Sequence, residues 1–181
     1  MSTLCLHCLH LPEITANQQG EEPMSFEKHF DQFYCYYLDQ EDNTAYLSKL
    51  AELASQAEVV TVDLETTGLN PFKDQISLIG IGVNDKESGW NCFLFDQLDH
   101  DFTKALRPLL EAKKTYKLGH NFKFDWKFLW HHMGIDCQPI LDTMLAAIVC
   151  EYGTVQEKGR WSLAALALEK LGRHMDKDEE L

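Results

Sequence analysis

The most constraining feature of this sequence is a β-rich run that ends in two carboxylates and a turn. Residues 59–64 are rich in Val and Leu, which is typical of a buried strand. The Thr-Thr-Gly sequence at 66–68 signals a turn. Asp63 and Glu65 are two residues apart, so on a strand their side chains point to the same face. We therefore expect two acidic side chains side by side at the end of a core strand.

This pair of carboxylates has two interpretations. Beside an apolar core, two acids repel each other and lose hydration unless a cation compensates them. Hard oxygen ligands that lie close together suit Mg²⁺ or Mn²⁺, which makes Asp63 and Glu65 candidate metal ligands. The alternative is a solvated strand end, in which Asp63 only helps to form the turn.

A second polar pair, Asn121 and Asp125, stands at the start of a predicted helix over residues 122–132. The two residues are four positions apart and therefore share a helix face. Asn121 is a good N-cap residue, and Asp125 in the first turn is favoured by the helix dipole; these are their structural interpretations. The functional alternative makes Asp125 a third oxygen ligand that faces the end of the strand.

The remaining pattern predicts an α/β domain. Besides the run at 59–64, strands are predicted at 76–83, 90–95, 116–119 and 140–142, and helices at 43–56, 103–110, 122–132, 144–150 and 162–171. Three early strands followed by alternating helices and strands imply a mixed, five-stranded sheet flanked by helices. The aromatic segment at 33–38 has the composition of a further strand.

The bulk properties limit the classes of function. The 181 residues fit one domain, and we assign residues 1–25 to a poorly ordered tail and 26–181 to the domain. The net charge of −13 is opposite in sign to that of most nucleic-acid binders, but metal ions held by carboxylates would reverse the local charge. No apolar stretch approaches the ~20 residues that cross a bilayer. No secretory signal is evident, so we expect a cytoplasmic protein with reduced cysteines and no membrane partner.

The motifs and their order resemble those of the DEDD (DnaQ-like) 3′→5′ exonuclease superfamily, and most closely the exonuclease domains of family-A DNA polymerases and of RNase D. The first family motif, D-x-E-T-T-G-L, is present from Asp63 to Leu69. The second, N-x-x-x-D, is present at Asn121 and Asp125. The family segments D-T-M-L and S-L-x-x-L-A-x-x-x-L-G follow at residues 142–145 and 162–172.

The resemblance implies an RNase H-like fold and hydrolysis of single-stranded DNA from its 3′ end to nucleoside monophosphates. It implies that Asp63, Glu65 and Asp125 are the catalytic residues and bind two Mg²⁺ or Mn²⁺ ions. A polymerase domain, in cis or in trans, is the implied partner in proofreading during DNA replication and repair. Two alternatives stay open: RNase D-like trimming of RNA 3′ ends, and a catalytically impaired module that binds nucleic acid.

The resemblance also implies contacts to the substrate. The two threonines would present their backbone near the terminal nucleotide, and the leucine would wedge against the last base, which suits unstacked ends. Asn121 would contact the nucleotide. Tyr152 and Arg160 stand between two predicted helices, where relatives have a loop near the substrate. The six candidates for substrate binding are Thr66, Thr67, Leu69, Asn121, Tyr152 and Arg160.

One element of the family pattern is missing. Its third motif, Y-x-x-x-D or H-x-x-x-D, supplies the last metal ligand and the general base from a helix further downstream. His174 and Asp178 spell H-x-x-x-D, but we interpret this as a chance match in an acidic segment. We therefore expect the sequence to lack the last helix of the domain and to be either a fragment of a longer protein or an impaired relative.

Overall fold

The computed structural model describes residues 28–30, 33–39, 43–86, 89–151 and 159–175. The predicted tail, residues 1–25, lies outside the described residues. The strands are β1 (Lys28–Phe30), β2 (Phe33–Leu38), β3 (Val59–Thr66), β4 (Ile76–Asp85), β5 (Gly89–Asp96), β6 (Tyr116–Gly119) and β7 (Ile140–Asp142). The helices are α1 (Thr44–Gln56), α2 (Thr103–Leu110), α3 (Lys123–Phe128), α4 (Thr143–Cys150) and α5 (Leu163–Leu171).

All the strands of the described residues form one mixed sheet in the order β1-β2-β5-β4-β3-β6-β7. Strand β4 is antiparallel to both of its neighbours, β3 and β5. Strand β6 pairs in parallel with β3, and β7 pairs in parallel with β6. This arrangement confirms the predicted mixed sheet flanked by helices. The predicted count of five strands was too low, because β1 and β2 pair with each other and β2 pairs in parallel with β5.

The predicted helices are present with small differences at their ends. The predicted helix over 122–132 is divided: α3 continues into a single π-helical turn, Leu129–Met133, and Gly134 ends it with a left-handed φ of 59°. Helix α5 ends at Gly172 with a φ of 64°, as the glycine predicts. No helix in the described ranges is both long and apolar enough to span a bilayer.

The side chains of β3 alternate between a face that packs in the core and a face that carries the two carboxylates. Val60, Val62 and Leu64 are buried in the main hydrophobic cluster, whereas Asp63 and Glu65 point to the opposite face because strand side chains alternate. On that face Thr61 pairs with Gly82, and a Cβ added to Gly82 would lie only 2.2 Å from Thr61 Oγ1. The neighbouring strand therefore carries a glycine where a side chain would crowd Thr61.

A buried lysine fixes β6, the strand that leads into the turn before α3. Lys117 is fully buried, and its Nζ donates hydrogen bonds to the carbonyl oxygens of Ala112 (2.7 Å), Thr115 (2.9 Å) and Gln138. Its backbone N–H donates to Pro139 O at 2.9 Å. Lys117 therefore joins the segment before β6 to the segment before β7, and holds these two neighbouring parallel strands together.

We expect the Lys117→Met substitution to destabilise the protein by about 2–4 kcal/mol, because three carbonyl groups lose their donor in a buried position. The free energy of unfolding in urea measures this change. Lys114→Met, at an exposed position in the preceding turn, is the matched control and should change stability by less than about 0.5 kcal/mol. Equal effects of the two substitutions would contradict the anchoring role of Lys117.

Candidate active site

Two acidic side chains stand at the end of β3, as the sequence predicts. Asp63 is buried and Glu65 is half-buried. Burial and the neighbouring Asp63 charge raise the pKa of Glu65 to about 7. Glu65 Oε1 is buried and accepts no hydrogen bond from any residue that the structure describes. A buried carboxylate oxygen of this kind requires a cation, a proton or a bound donor to compensate it.

Asp125, in the first turn of α3, faces the same strand end. Its side chain is 2% exposed, and its Oδ1 accepts a hydrogen bond from the backbone N–H of Leu64 at 3.2 Å. Burial, followed by the charge of Asp63, raises the pKa of Asp125 to about 7. The charge of Asp63 thus acts on both Glu65 and Asp125, so that Asp63 links the three carboxylates electrostatically into one acidic group.

The donor set of this group fits a hard divalent cation. Carboxylate oxygens are the preferred ligands of Mg²⁺ and Mn²⁺, and the compensation that Glu65 Oε1 lacks is what such an ion provides. Within the described part of the chain, no three Asp, Glu, His or Cys side chains are close enough together to form a complete ligand set as they stand. The residues therefore match a metal in the chemistry of their oxygen donors, and the side chains would have to move closer together to coordinate it.

The loop after β3, residues 67–75, carries an exposed leucine on a well-bonded turn. Thr67 and Gln75 close it with two hydrogen bonds, from Thr67 N to Gln75 O and from Gln75 N to Thr67 Oγ1, each 2.9 Å long. Asp74 Oδ2 accepts the N–H of Asn70 at 2.8 Å. On this turn Leu69 is 75% exposed, which is unusual for an apolar side chain on so ordered a loop.

Four of the six predicted substrate residues lie at the end of β3, in the loop after it, or in the turn before α3. Thr66 ends β3, with its Oγ1 donating to Gly68 O at 2.6 Å, so that it stands with Thr67 and Leu69 beside the acidic end of the strand. Asn121 is exposed in the turn before α3.

Arg160 donates to Glu151 at 2.6 Å and 3.2 Å, in an ion pair between the segment before α5 and the end of α4. Tyr152 lies outside the described residues. His174 is exposed beyond the end of α5, and Asp178 also lies outside the described residues.

The turn between β6 and α3 involves a residue to which the sequence assigned no role. Asn121 has a left-handed φ of 56°, a conformation that costs a residue with a Cβ some strain. Asp142 accepts hydrogen bonds from the backbone N–H groups of Asn121 (3.1 Å) and Phe122 (2.9 Å). His120 Nδ1 lies 2.9 Å from Thr143 Oγ1, which forms a second link between this turn and α4. The signals for Asp142 in the sequence are its position just before the helix predicted at 144–150 and its place as the first residue of the D-T-M-L segment.

The sequence has relatives among nucleases and polymerases. A family model described as 3′-5′ exonuclease matches residues 38–181. DNA polymerase I of Pseudomonas aeruginosa is 29% identical over 178 residues, an alignment that covers 93% of this chain and 18% of the polymerase. Ribonuclease D of Desulfotalea psychrophila is 29% identical over 133 residues, with 74% of this chain and 33% of the ribonuclease covered. The chain thus spans a third or less of the length of these relatives.

Solved structures share the fold. NrnC of Brucella melitensis superposes with a TM-score of 0.59 and 24% identity, covering 82% of this chain and 64% of NrnC. RNase D of Trypanosoma brucei gives a TM-score of 0.64 and 18% identity, covering 82% of this chain and 50% of the ribonuclease. The mixed sheet and its helices therefore have the RNase H-like architecture of the DnaQ-like exonucleases. The family model that matches residues 38–181 shows that the chain belongs to the 3′-5′ exonuclease family.

Proposed function

We propose that this chain is a metal-dependent exonuclease that removes nucleotides from the 3′ ends of single-stranded nucleic acid, with DNA as its main substrate. The observation that carries the proposal is the convergence of Asp63, Glu65 and Asp125, three acids that repel one another at one buried strand end. Such a group is stable only with compensation, and membership of the exonuclease family supports a catalytic metal as the source of that compensation.

In this proposal, Asp63, Glu65 and Asp125 hold two Mg²⁺ or Mn²⁺ ions. When bound in such sites, these ions lower the pKa of a water nucleophile and stabilise the charge on the leaving oxygen. A structure of Brucella melitensis NrnC contains bound Mg²⁺. The Leu64 N–H contributes by holding Oδ1 of Asp125 toward β3. Glu65 and Asp125 must lose their protons before they bind a cation, and the repulsion among the three carboxylates then favours binding.

The exposed loop after β3 is the proposed contact to the 3′-terminal nucleotide. Leu69 offers an apolar surface on a turn fixed by its own hydrogen bonds, and an apolar wedge suits an unstacked base of any identity. Thr66, Thr67 and Asn121 complete the proposed contacts near the carboxylates. Arg160 and Tyr152 stay in the proposal as further candidates for contact with the substrate. For Arg160 this role requires exchange of its ion pair with Glu151 for a phosphate.

RNA is the second candidate substrate, and the ribonuclease relatives favour it. Ribonuclease D of Desulfotalea psychrophila matches 74% of this chain, and the Trypanosoma brucei RNase D has been determined with the RNA U12. Both candidate substrates present a flexible single-stranded 3′ end, and a contact to the 2′-hydroxyl would discriminate between them. A partner polymerase domain, an intracellular location and an exonuclease domain over residues 26–181 all remain part of the proposal.

We expect the chain to shorten a 5′-labelled single-stranded DNA oligonucleotide from its 3′ end in the presence of Mn²⁺ or Mg²⁺. EDTA should abolish the ladder of products because it removes the metal, and Asp63→Ala should abolish it because it removes a metal ligand. An RNA oligonucleotide of the same sequence, assayed in parallel, measures the substrate preference directly.

Each outcome of this assay has a distinct meaning. Cleavage of RNA at a rate at least tenfold above that of DNA would replace DNA with RNA in the proposal. Binding of either oligonucleotide without cleavage would favour the alternative of a catalytically impaired module. Cleavage that persists in Asp63→Ala would refute the assignment of the site.

The raised pKa of Asp125 predicts how stability depends on pH in the absence of metal. A carboxyl group whose pKa is higher in the folded state than its unfolded value near 4 binds more protons when folded. Stability is therefore lost as pH rises from about 4 through 7. Asp125→Asn keeps the oxygen that accepts the Leu64 N–H and removes the charge. We expect this variant to be more stable than the wild type at pH 8 by up to about 4 kcal/mol, and nearly equal at low pH.

Urea unfolding with EDTA at pH 4 and pH 8 measures this difference. Asp101→Asn is the matched control, since its hydrogen bonds to Thr103 lower the pKa of Asp101, and the substitution should therefore lower stability at pH 8. Adding Mn²⁺ at pH 8 should stabilise the wild type more than Asp125→Asn. If Asp125→Asn has no advantage at pH 8, the three acids do not repel one another as described.

A further inference from the structure

Asp142 occupies a junction between two elements of the site. It is the last residue of β7 and pairs in register with Gly119, the last residue of the parallel strand β6. It is also the N-cap of α4. A side chain at this position can reach both the turn that leaves β6 and the first turn of α4, because the ends of neighbouring parallel strands lie at the same edge of the sheet.

The carboxylate of Asp142 uses both oxygens to bond the backbone of these two turns. Oδ1 accepts the N–H groups of Met144 (2.9 Å) and Leu145 (3.2 Å), which caps α4, and also the N–H of Asn121 at 3.1 Å. Oδ2 accepts the N–H of Phe122 at 2.9 Å. Capping of a helix explains the first two bonds. The bonds to Asn121 and Phe122 are not needed for α4 and require another explanation.

The bonds to Asn121 and Phe122 hold a turn that would otherwise relax. Asn121 is left-handed, a backbone state that Asn adopts more readily than other residues with a Cβ but at some cost in strain, so bonds to its backbone favour the state. The turn is also closely packed: Phe122 is fully buried, and a Cβ added to Gly119 would lie 2.4 Å from the Phe122 ring. Asp125 follows within one helical turn, and Trp126 N donates to Phe122 O at 2.8 Å. The position of Phe122 therefore determines where Asp125 stands.

We propose that Asp142 is a positioning residue of the metal site: it holds the turn at Asn121 and Phe122 so that Asp125 faces Asp63 and Glu65. This inference rests on the proposed function for its catalytic meaning. Asp142 holds Asp125 in place through the backbone of the turn and the first turn of α3. Its charge also contributes to the raised pKa of Asp125, and the Asp142→Asn variant removes that charge. Residues that orient metal ligands in this indirect way commonly change metal affinity about 10–100-fold when they are replaced.

The test combines metal affinity with backbone protection in the full chain. In Asp142→Ala, we expect the dissociation constant for Mn²⁺, measured by titration calorimetry, to rise about tenfold. Hydrogen exchange followed by NMR should accelerate at the amides of Asn121 and Phe122 and, as the decisive signal, at Leu64. The Leu64 amide donates to Asp125 Oδ1, so it reports the position of Asp125 at a site that Asp142 does not touch.

Two further variants separate positioning from general loss of structure. Asp101→Ala removes a carboxylate that accepts the N–H of Thr103 at the start of α2, and should leave Mn²⁺ affinity and the Leu64 amide unchanged. Asp142→Asn retains Oδ1 for Asn121 and α4 but places an amide group against the Phe122 N–H. It should weaken Mn²⁺ binding less than Asp142→Ala does, and it supplies the comparison if Asp142→Ala does not fold.

The outcomes distinguish this proposal from the proposed function. If exchange accelerates only at Met144 and Leu145, with the Leu64 amide still protected and Mn²⁺ affinity within twofold of the wild type, Asp142 is a helix cap alone and the proposal is wrong. If the wild type shows no Mn²⁺ binding that Asp63→Ala removes, the metal site itself is refuted. In that case the Leu64 amide still decides whether Asp142 positions Asp125.

Discussion

The repulsion among three carboxylates at the end of β3 is the constraint on which the rest of this structure depends. Asp63, Glu65 and Asp125 are placed against a core whose other side is filled by Val62 and Leu64, so water cannot fully compensate their charge. The pKa values of Glu65 and Asp125, each raised to about 7, show that the folded chain retains protons here at the expense of charge. An arrangement that costs stability in this way is typical of a functional site.

The surrounding elements hold the acids in place rather than relieve their repulsion. Strand β3 fixes Asp63 and Glu65 by alternation alone. Asp125 depends on a longer sequence of contacts: Lys117 bonds the carbonyl groups around β6, and the left-handed turn at Asn121 leads into α3. Asp142 then bonds that turn to the start of α4. The second half of the sheet therefore serves mainly to bring one carboxylate from α3 to the end of β3.

Local pattern was sufficient to predict the elements that carry the site. The Val-rich run before Asp63 and the turn at Gly68 are properties of short segments, and the strand they predict is present. The interpretation of Asn121 as an N-cap was wrong: Phe122 is the N-cap of α3, and Asn121 has a left-handed backbone in the turn before it. Contacts between distant segments could not be read from the sequence. The parallel pairing of β2 with β5 joins residues more than fifty positions apart and made the count of five strands too low. The four hydrogen bonds of Asp142 and the ion pair of Arg160 with Glu151 depend on tertiary placement in the same way.

The most direct test of this account is an anomalous difference map from crystals of the chain grown with Mn²⁺. The account predicts a peak bounded by the carboxylates of Asp63, Glu65 and Asp125, at the roughly 2.0–2.2 Å from oxygen that is typical of small divalent cations. Comparison with crystals grown in EDTA should show the carboxylates drawn together by the ion. A map with Mn²⁺ bound only elsewhere, and with these three side chains unchanged, would contradict the claim that they form one metal site.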